Sequence, residues 1–317
     1  SSKHWATAYD FAAVEQGQII KQEIPHQMPR PVQAFFFNTR NAPFNDLNVR
    51  KAASLLFDFE WSNRNLFSNA YSRTVSWFPN SPYTAPVPAT AEEQALLADQ
   101  AKHLPDNFFS ADIHPPVNDG SGQIRNRMRE ALSLLQESGW RLQDHKLVNE
   151  QGKPLRFTVL NYHNPGIYRI LAPWFRNLQR LGIEADYREV EPAAYKERLD
   201  NFDYDVVLFV LPVRDYPGPE LTDYFASSSA DIPGSKNLAG ISHPVVDFLV
   251  RTALSAEQEA EYVLSLQALD RMLRYQHYGV LNYHIRHHRV AWWDRFSRPS
   301  EPIPFGLGLD TWWMKNK

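Results

Sequence analysis

The chain contains no cysteine among its 317 residues. This absence excludes disulfides, thiol nucleophiles, iron–sulfur clusters and cysteine-ligated zinc. Basic charge is not in excess either, because 33 lysines and arginines face 36 acidic residues, for a formal net charge of -3. Such a balance offers no general attraction to a phosphate backbone, so we expect no nucleic-acid partner.

Long hydrophobic runs are also missing. The longest candidate, residues 206–213, contains a proline and is much shorter than the roughly 18 residues that a membrane helix requires. It is typical of a buried strand instead. The first residues, Ser1-Ser2-Lys3-His4-Trp5, do not form a charged segment followed by an apolar one, so we expect any export signal to lie upstream of this chain.

Proline and aromatic residues are abundant. The chain has 23 prolines, 9 tryptophans, 14 tyrosines and 19 phenylalanines. Prolines restrict the backbone of many loops, and aromatic side chains can form a large core or line a ligand pocket.

The first half of the chain alternates between regular elements and loops. A strand is predicted over residues 34–38, and Asn45 or Asp46 can cap a helix whose apolar face continues to Phe59. Residues 77–122 indicate an elaborated loop layer with one short helix near residues 92–101. A further helix is predicted from Ile124, ended by Gly139.

The second half has the pattern β-α-β-α-β. Strands are predicted over residues 155–160, 183–187 and 204–211, with helices between them that end at Gly182 and begin at Pro192. This order predicts an α/β fold with parallel strands. Ligands of open α/β sheets gather at the carboxyl ends of the strands, where residues 212–219 follow the third strand.

Catalytic motifs are absent from the sequence. It contains no G-x-S-x-G, G-x-x-x-x-G-K-[ST], G-x-G-x-x-G before a helix, or H-E-x-x-H, so we expect no enzyme and no cofactor. His284 and His288 would share a strand face, but local spacing fixes no third metal ligand, and we interpret them as surface or interface histidines. We therefore predict no metal.

Three aspartates flank the third predicted strand, and their predicted environments differ. Asp203 and Asp205 precede the third strand and are interpreted as solvated turn residues. Asp215 lies just beyond the strand, where an ionised carboxylate needs solvent or a partner. It is either a turn-initiating residue or an anionic anchor for a cationic ligand group such as an ammonium.

Several segments resemble a known family. The matching segments are Phe36-Phe37-Asn38-Thr39-Arg40, Val49-Arg50-Lys51-Ala52, Phe57-Asp58-Phe59-Glu60-Trp61, Val290-Ala291-Trp292-Trp293-Asp294-Arg295-Phe296 and Gly306-Leu307-Gly308-Leu309-Asp310-Thr311-Trp312-Trp313. They are similar to the peptide- and microcin-binding branch of the family 5 extracellular solute-binding proteins. These proteins are periplasmic receptors of ABC importers, and the chain resembles their C-terminal portion.

The resemblance implies a domain organisation. We expect the C-terminal lobe of a type II periplasmic-binding-protein-like fold, with a mixed sheet flanked by helices. Residues 1–30 would belong with a missing N-terminal lobe, residues 31–295 would form the C-terminal lobe, and residues 296–317 would return towards the missing lobe. The implied partners are a peptide ligand, an inner-membrane ABC permease and that N-terminal lobe, and the implied location is the periplasm.

The resemblance also implies a ligand site. The family's loop after the last parallel strand carries an acidic residue in an Asp-Tyr-x-x-Pro-like context, which Asp215-Tyr216-Pro217-Gly218-Pro219 resembles. The predicted ligand-binding residues are Val213, Arg214, Asp215, Tyr216, Asn38, Arg40 and Trp312. The sequence departs from the family in carrying Arg214 beside the acid, which could neutralise Asp215 or bind a carboxylate or phosphate itself.

Two other classes of protein are weighed against a receptor. The same domain type occurs as the effector-sensing half of transcription regulators, whose DNA-binding helices would lie upstream. A hydrolase with tryptophan-lined subsites would need paired carboxylates or a nucleophile, and neither can be identified in the sequence.

Overall fold

A computed structural model describes residues 2–26, 28–164, 166–301 and 306–315. Its α-helices are α1 (Ser2–Thr7), α2 (Ala12–Glu15), α3 (Leu47–Leu55), α4 (Phe59–Phe67), α5 (Ala91–Leu96), α6 (Arg125–Glu137), α7 (Ile167–Leu181), α8 (Pro192–Asp200), α9 (Glu220–Phe225), α10 (Pro244–Ser255) and α11 (Glu259–Tyr275). Its strands are β1 (Ile19–Pro25), β2 (Val32–Phe37), β3 (Ser72–Arg73), β4 (Arg141–Gln143), β5 (Lys146–Val148), β6 (Arg156–Tyr162), β7 (Glu184–Val190), β8 (Val206–Leu211), β9 (Gly279–Leu281), β10 (Tyr283–His284), β11 (His287–Trp293), β12 (Phe296–Ser297) and β13 (Trp313–Met314).

A five-stranded mixed sheet organises the fold, with the strand order β7-β6-β8-β2-β9. Strand β6 runs parallel to β7 and β8, whereas β2 runs antiparallel to both β8 and β9. The predicted α/β class with a mixed sheet is confirmed. Because β2 opposes β8, Val32 lies beside Leu211 and Phe37 lies beside Val206. Residues that follow β2 therefore lie at the opposite edge of the sheet from residues that follow β8.

Two hydrophobic cores cover the two faces of the sheet. Alternation along β2 sends Phe36 into the core that contains residues of α8, α10 and α11, while Phe35 and Phe37 enter the core that contains residues of α3, α6 and α7. All three rings are almost fully buried. Burial of one such side chain contributes about 1.5–3 kcal/mol, so the Phe-Phe-Phe run stabilises both layers at once.

Helix boundaries follow local capping. Gly182 ends α7 with a φ of 93°, a left-handed conformation that suits glycine, and Pro192 occupies the first turn of α8. The sequence predicted one helix whose apolar face continues to Phe59. That prediction is wrong, because α3 ends at Leu55. The Asp58 carboxylate accepts a hydrogen bond from the Trp61 N–H at 3.1 Å, so it caps a second helix, α4.

The predicted loop layer near residues 77–122 is held by side chains of α11. The buried Asp270 carboxylate accepts hydrogen bonds from the backbone N–H groups of Trp77 at 2.7 Å and Ala85 at 2.9 Å. Arg274 Nη1 lies 3.2 Å from the same carboxylate. Burial raises the pKa of Asp270, and the positive charge of Arg274 opposes that shift. The long connection is thus ordered by buried polar contacts, although it contains little regular structure.

The terminal segments form their own strand pairs. Strand β1 pairs with β11, and β12 pairs with β13. Residues 287–293 therefore pair with residues 19–25 of the opening segment. Within the described ranges, no helix has both the length and the apolar character needed to cross a membrane.

Candidate functional site

The loop at residues 212–219 leaves the carboxyl end of β8, as predicted. Arg214, Asp215 and Tyr216 are exposed, and Tyr216 keeps 73% of its surface accessible. Val213 packs against the core on one side of the sheet, and Pro217 is buried. The loop therefore presents three consecutive side chains to solvent between two anchored positions.

Two tyrosines hold the backbone of this loop. The Tyr83 hydroxyl donates to the Asp215 carbonyl at 2.9 Å, and the Tyr262 hydroxyl donates to the Pro217 carbonyl at 2.6 Å. The two rings pack edge to face with centroids 5.6 Å apart. Burial raises the pKa of both phenols, so both remain protonated donors at neutral pH.

The charged side chains of the loop do not pair with each other. Arg214 Nε lies 3.6 Å from Glu220 Oε1 at the start of α9, with 72% of the Arg214 side chain exposed. In the described part of the chain, no cationic group lies within ion-pair distance of the Asp215 carboxylate. Arg214 therefore lies near Glu220 and not near Asp215, a partner that the sequence did not suggest.

A free carboxylate on an anchored loop can accept hydrogen bonds from a ligand cation. Hydrogen bonds to charged groups contribute about 1.5–3 kcal/mol, more than neutral ones. Because Tyr83 and Tyr262 already order the backbone of the loop, ligand binding would lose little conformational entropy in this loop.

Asn38 lies at the opposite edge of the sheet. It is buried, and its Nδ2 donates to the carbonyls of Phe202 and Tyr204, each at 2.9 Å. Its backbone N–H donates to the Asp205 carbonyl, also at 2.9 Å. These contacts tie the end of β2 to the turn before β8, so the structure favours a structural role for Asn38.

Arg40 lies beside Asn38 and its guanidinium is similarly engaged. Nη1 donates to Asn38 Oδ1 at 3.0 Å and Nη2 donates to the Asn237 carbonyl at 2.9 Å. Further bonds reach the Ala230 carbonyl, and the guanidinium stacks 3.7 Å from the Phe202 ring. Neither Asn38 nor Arg40 is brought to the 212–219 loop.

Trp312 belongs to the terminal segment. Its ring packs edge to face against Trp292 with centroids 5.1 Å apart, and its Nε1 donates to the Leu307 carbonyl at 3.1 Å. Trp293 and Trp313 are exposed, as expected when one tryptophan of each pair faces outward. The structure thus groups Trp312 with the strand pair β1–β11 rather than with the loop.

The other residues singled out from the sequence also have defined contacts. Asp205 Oδ2 accepts the Thr158 N–H at 2.9 Å, and Asp203 lies 3.5 Å from Arg198. His284 Nδ1 lies 3.0 Å from Thr74 Oγ1. Among the residues the structure describes, no group of three or more histidine, aspartate or glutamate side chains is placed to hold a metal ion.

Tyr83 and Tyr262 were not identified from the sequence. Tyr83 is separated from Asp215 by 132 positions and Tyr262 from Pro217 by 45, so no local pattern connects either tyrosine to the loop. The abundance of aromatic residues was the only sequence signal that pointed to them.

The comparisons identify the family. The model of the bacterial extracellular solute-binding proteins, family 5 Middle, matches residues 4–232. The chain belongs to the family 5 bacterial extracellular solute-binding proteins, as the resemblance predicted.

Three curated relatives match almost the whole chain. A protein of Brucella suis biovar 1 (strain 1330) is 39% identical over 310 residues, which cover 98% of this chain and 50% of that protein. The peptidoglycan-binding protein YepA of Agrobacterium fabrum is 34% identical over 313 residues, covering 98% of this chain and 51% of YepA. A protein of the same organism named "Probable peptide-binding protein YejA" is 34% identical over 317 residues, covering 99% and 52%. The chain thus spans about half the length of these relatives.

A solved structure shares the fold. The oligopeptide-binding protein AppA from Bacillus subtilis, in complex with a nonapeptide, superimposes with a TM-score of 0.68 at 18% identity, covering 99% of this chain and 55% of AppA. Likeness at this identity concerns the fold alone. It confirms the predicted type II periplasmic-binding-protein-like α/β architecture.

Proposed function

We propose that this chain is the peptide-gripping half of a receptor that delivers oligopeptide or microcin-like peptide ligands to a bacterial ABC uptake transporter. The receptor would work in the periplasm and hand its ligand to an inner-membrane permease. It would bind its ligand without transforming it. Family membership and the name of one relative as a peptide-binding protein support this function.

The observation that carries the proposal is the free carboxylate of Asp215. It is exposed on a loop anchored by two tyrosine hydroxyls, at the carboxyl end of β8, the central strand of the five-stranded sheet. Peptides differ in their side chains but share an amino terminus, so a receptor with broad specificity gains by gripping that ammonium group. In this proposal Asp215 accepts hydrogen bonds from the peptide ammonium.

The neighbours of Asp215 have supporting roles. Tyr216 offers an exposed aromatic surface beside the carboxylate. Val213 packs against the hydrophobic core and so anchors the loop. Arg214 lies near Glu220 at the rim of the site and does not neutralise Asp215. Asn38, Arg40 and Trp312 contribute through the fold and have no ligand contact in this proposal.

The facing wall of the site would come from the other half of the receptor. The chain spans about half the length of its relatives, so a comparable length of polypeptide is available to form a second lobe. Residues 1–30 and 296–317 would then pack with that lobe. The exposed Trp313 and Met314, adjacent in β13, support this role for the closing segment, because neighbouring exposed apolar side chains are typical of contact surfaces.

The test is peptide binding by the full-length receptor with Asp215→Asn. The substitution keeps the size of the side chain and removes its charge, so we expect the affinity for a tripeptide to fall by about 10- to 100-fold, as measured by calorimetry. Asp144→Asn is the matched control, because Asp144 lies in an exposed turn with a φ of 49° that asparagine tolerates.

We expect the Asp144→Asn variant to bind like the parent protein. An Asp215→Asn variant that folds normally and binds the tripeptide with unchanged affinity would remove Asp215 from the site. Turnover of the peptide by the receptor would instead contradict the assignment as a non-catalytic binding protein.

A further inference from the structure

Four basic side chains meet where the strand pair β1–β11 joins the five-stranded sheet. His26 follows β1, Arg30 precedes β2, His284 ends β10 and His288 lies on β11. The rings of His26 and His288 have centroids 4.6 Å apart. We call His26, Arg30, His284 and His288 the histidine–arginine cluster.

Buried polar atoms of this cluster lack hydrogen-bond partners. Within the described ranges no partner is found for either ring nitrogen of His26, for Nε2 of His284 or His288, or for Nε of Arg30. His26 is only 6% exposed and His284 only 8%. Every neutral imidazole carries an N–H on one of its two nitrogens, so His26 has an unsatisfied buried donor in either tautomer. Buried donors are normally paired, and unpaired ones call for an explanation.

The cluster also lacks a compensating negative charge. In the part of the chain that the structure describes, no carboxylate lies within ion-pair distance of any of its four members. The nearby Glu23 is 3.1 Å from His287 and 3.6 Å from Arg289, so it already has two basic partners. Burial lowers the pKa of all three cluster histidines, and Arg30 lowers each of them further.

We propose that the histidine–arginine cluster binds an oxyanion group of a ligand, a carboxylate or a phosphate. An oxyanion presents only acceptor oxygens, which would satisfy the free N–H groups of Arg30 and the imidazoles together and supply the missing negative charge. A metal cation would satisfy the ring nitrogens but would be repelled by Arg30. Burial of unpaired donors together with an uncompensated charge therefore favours an anion.

One segment, residues 79–83, contacts both the chain around Arg30 and the 212–219 loop. The Arg30 N–H donates to the Pro79 carbonyl at 3.3 Å, and Asn80 Nδ2 donates to the Met28 carbonyl at 2.8 Å. The segment that contains these residues continues to Tyr83, whose hydroxyl holds the Asp215 carbonyl. Oxyanion binding does not depend on the peptide-receptor proposal, because it can be measured without a peptide.

The test is a titration of the 317-residue chain with acetate and, separately, with inorganic phosphate. Imidazole resonances of His26, His284 and His288 are followed by NMR. We expect saturable shifts of these resonances, tighter binding as the pH falls from about 7.5 to 5.5 because bound anion favours the imidazolium, and affinity about tenfold weaker in Arg30→Gln. His287 lowers the pKa of His26 and Arg286 lowers the pKa of His284, so both neighbours move imidazolium formation to lower pH within this titration. A preference for acetate identifies a carboxylate ligand, and a preference for phosphate identifies a phosphate ligand.

His163→Gln is the matched control, because His163 is an exposed imidazole 3.0 Å from Glu189 and outside the cluster. This variant should bind the anion like the parent chain. If Arg30→Gln does not fold, His288→Gln, at a partly exposed position, replaces it. Shifts that grow linearly throughout the titration, equal affinity in the parent and cluster variants, or saturable binding of Zn²⁺ with no anion binding would each overturn the proposal.

Discussion

Three aspartates around β8 have different environments despite their common side chain. Asp205 accepts a backbone N–H of β6 and ties two strands together, and Asp203 lies near Arg198. Asp215 is exposed without a partner in the described ranges, on a loop held by other side chains. Position along the strand distinguished the first two from the third, but only the contacts reveal that Asp215 is free.

Asn38 is expected to matter for stability and not for ligand binding. In Asn38→Ala, the carbonyls of Phe202 and Tyr204 lose their donor, so the free energy of unfolding should fall by about 1–3 kcal/mol. Urea unfolding measures this loss. Asn65→Ala, at an exposed site on α4, should change stability by no more than about 0.5 kcal/mol. Normal stability with lost peptide affinity in Asn38→Ala would instead assign Asn38 to the ligand site.

His277 is expected to make stability depend on pH. Burial lowers its pKa to about 3, with Lys51 and Arg50 adding to the shift, whereas its ordinary value is 6.5. Below pH 6.5 the unfolded chain takes up a proton that the folded chain does not, so acidification destabilises the fold. Between pH 6.5 and 5.5 this group alone should lower the free energy of unfolding by about 1 kcal/mol.

The variant His277→Asn tests that sign. Asparagine tolerates the φ of 48° at this position and does not titrate in this range. Urea unfolding at both pH values should show a smaller loss of stability on acidification in the variant. An equal loss in both proteins would exclude His277 as the source.

Elements with strong local signals could be predicted from the sequence. The helix ended by Gly182, the helix begun by Pro192 and the apolar strand before residue 212 all depend on neighbouring residues. The sequence prediction missed the break between α3 and α4, because apolar residues continue at helical spacing as far as Phe59. Asp58 caps α4, so a new helix begins there. Capping competes with periodicity, and here it prevails.

The candidate site could be predicted only in part. The pattern β-α-β-α-β located the 212–219 loop, since ligand sites in such sheets follow the strands. It could not reveal that β2 runs antiparallel to β8, which sends Asn38 and Arg40 to the far edge. The anchors Tyr83 and Tyr262, and the pairing of β1 with β11, depend on contacts between residues distant in sequence.

The loop after β8 is expected to depend on its tyrosine anchors. Tyr262→Phe removes the hydroxyl that donates to the Pro217 carbonyl, so stability should fall by about 1 kcal/mol. Amides of residues 213–216 and of Gly218 should exchange with solvent faster, as followed by hydrogen exchange. Tyr168→Phe, at an exposed position on α7, is the control and should leave these amides unchanged. Unchanged exchange in Tyr262→Phe would mean that the loop is ordered by other contacts.

At the scale of the whole molecule, the two edges of the sheet differ in character. One edge, near Asn38 and Arg40, is closed by hydrogen bonds to backbone carbonyls. The other carries the exposed 212–219 loop, supported by the segment that also contacts Arg30. In the proposed receptor, a second lobe that closes over a ligand would meet this open edge, and the chain spans about half the length of its relatives.

The most direct measurement compares a tripeptide with its N-acetylated form, using the full-length receptor and its Asp215→Asn variant. Acetylation removes the ammonium that Asp215 is proposed to bind, so it should weaken binding to the parent receptor by about 10- to 100-fold. In Asp215→Asn the same acetylation should have little effect, because the partner charge is already absent. Equal losses upon acetylation in both proteins, or none in the parent, would contradict an ammonium anchor at Asp215.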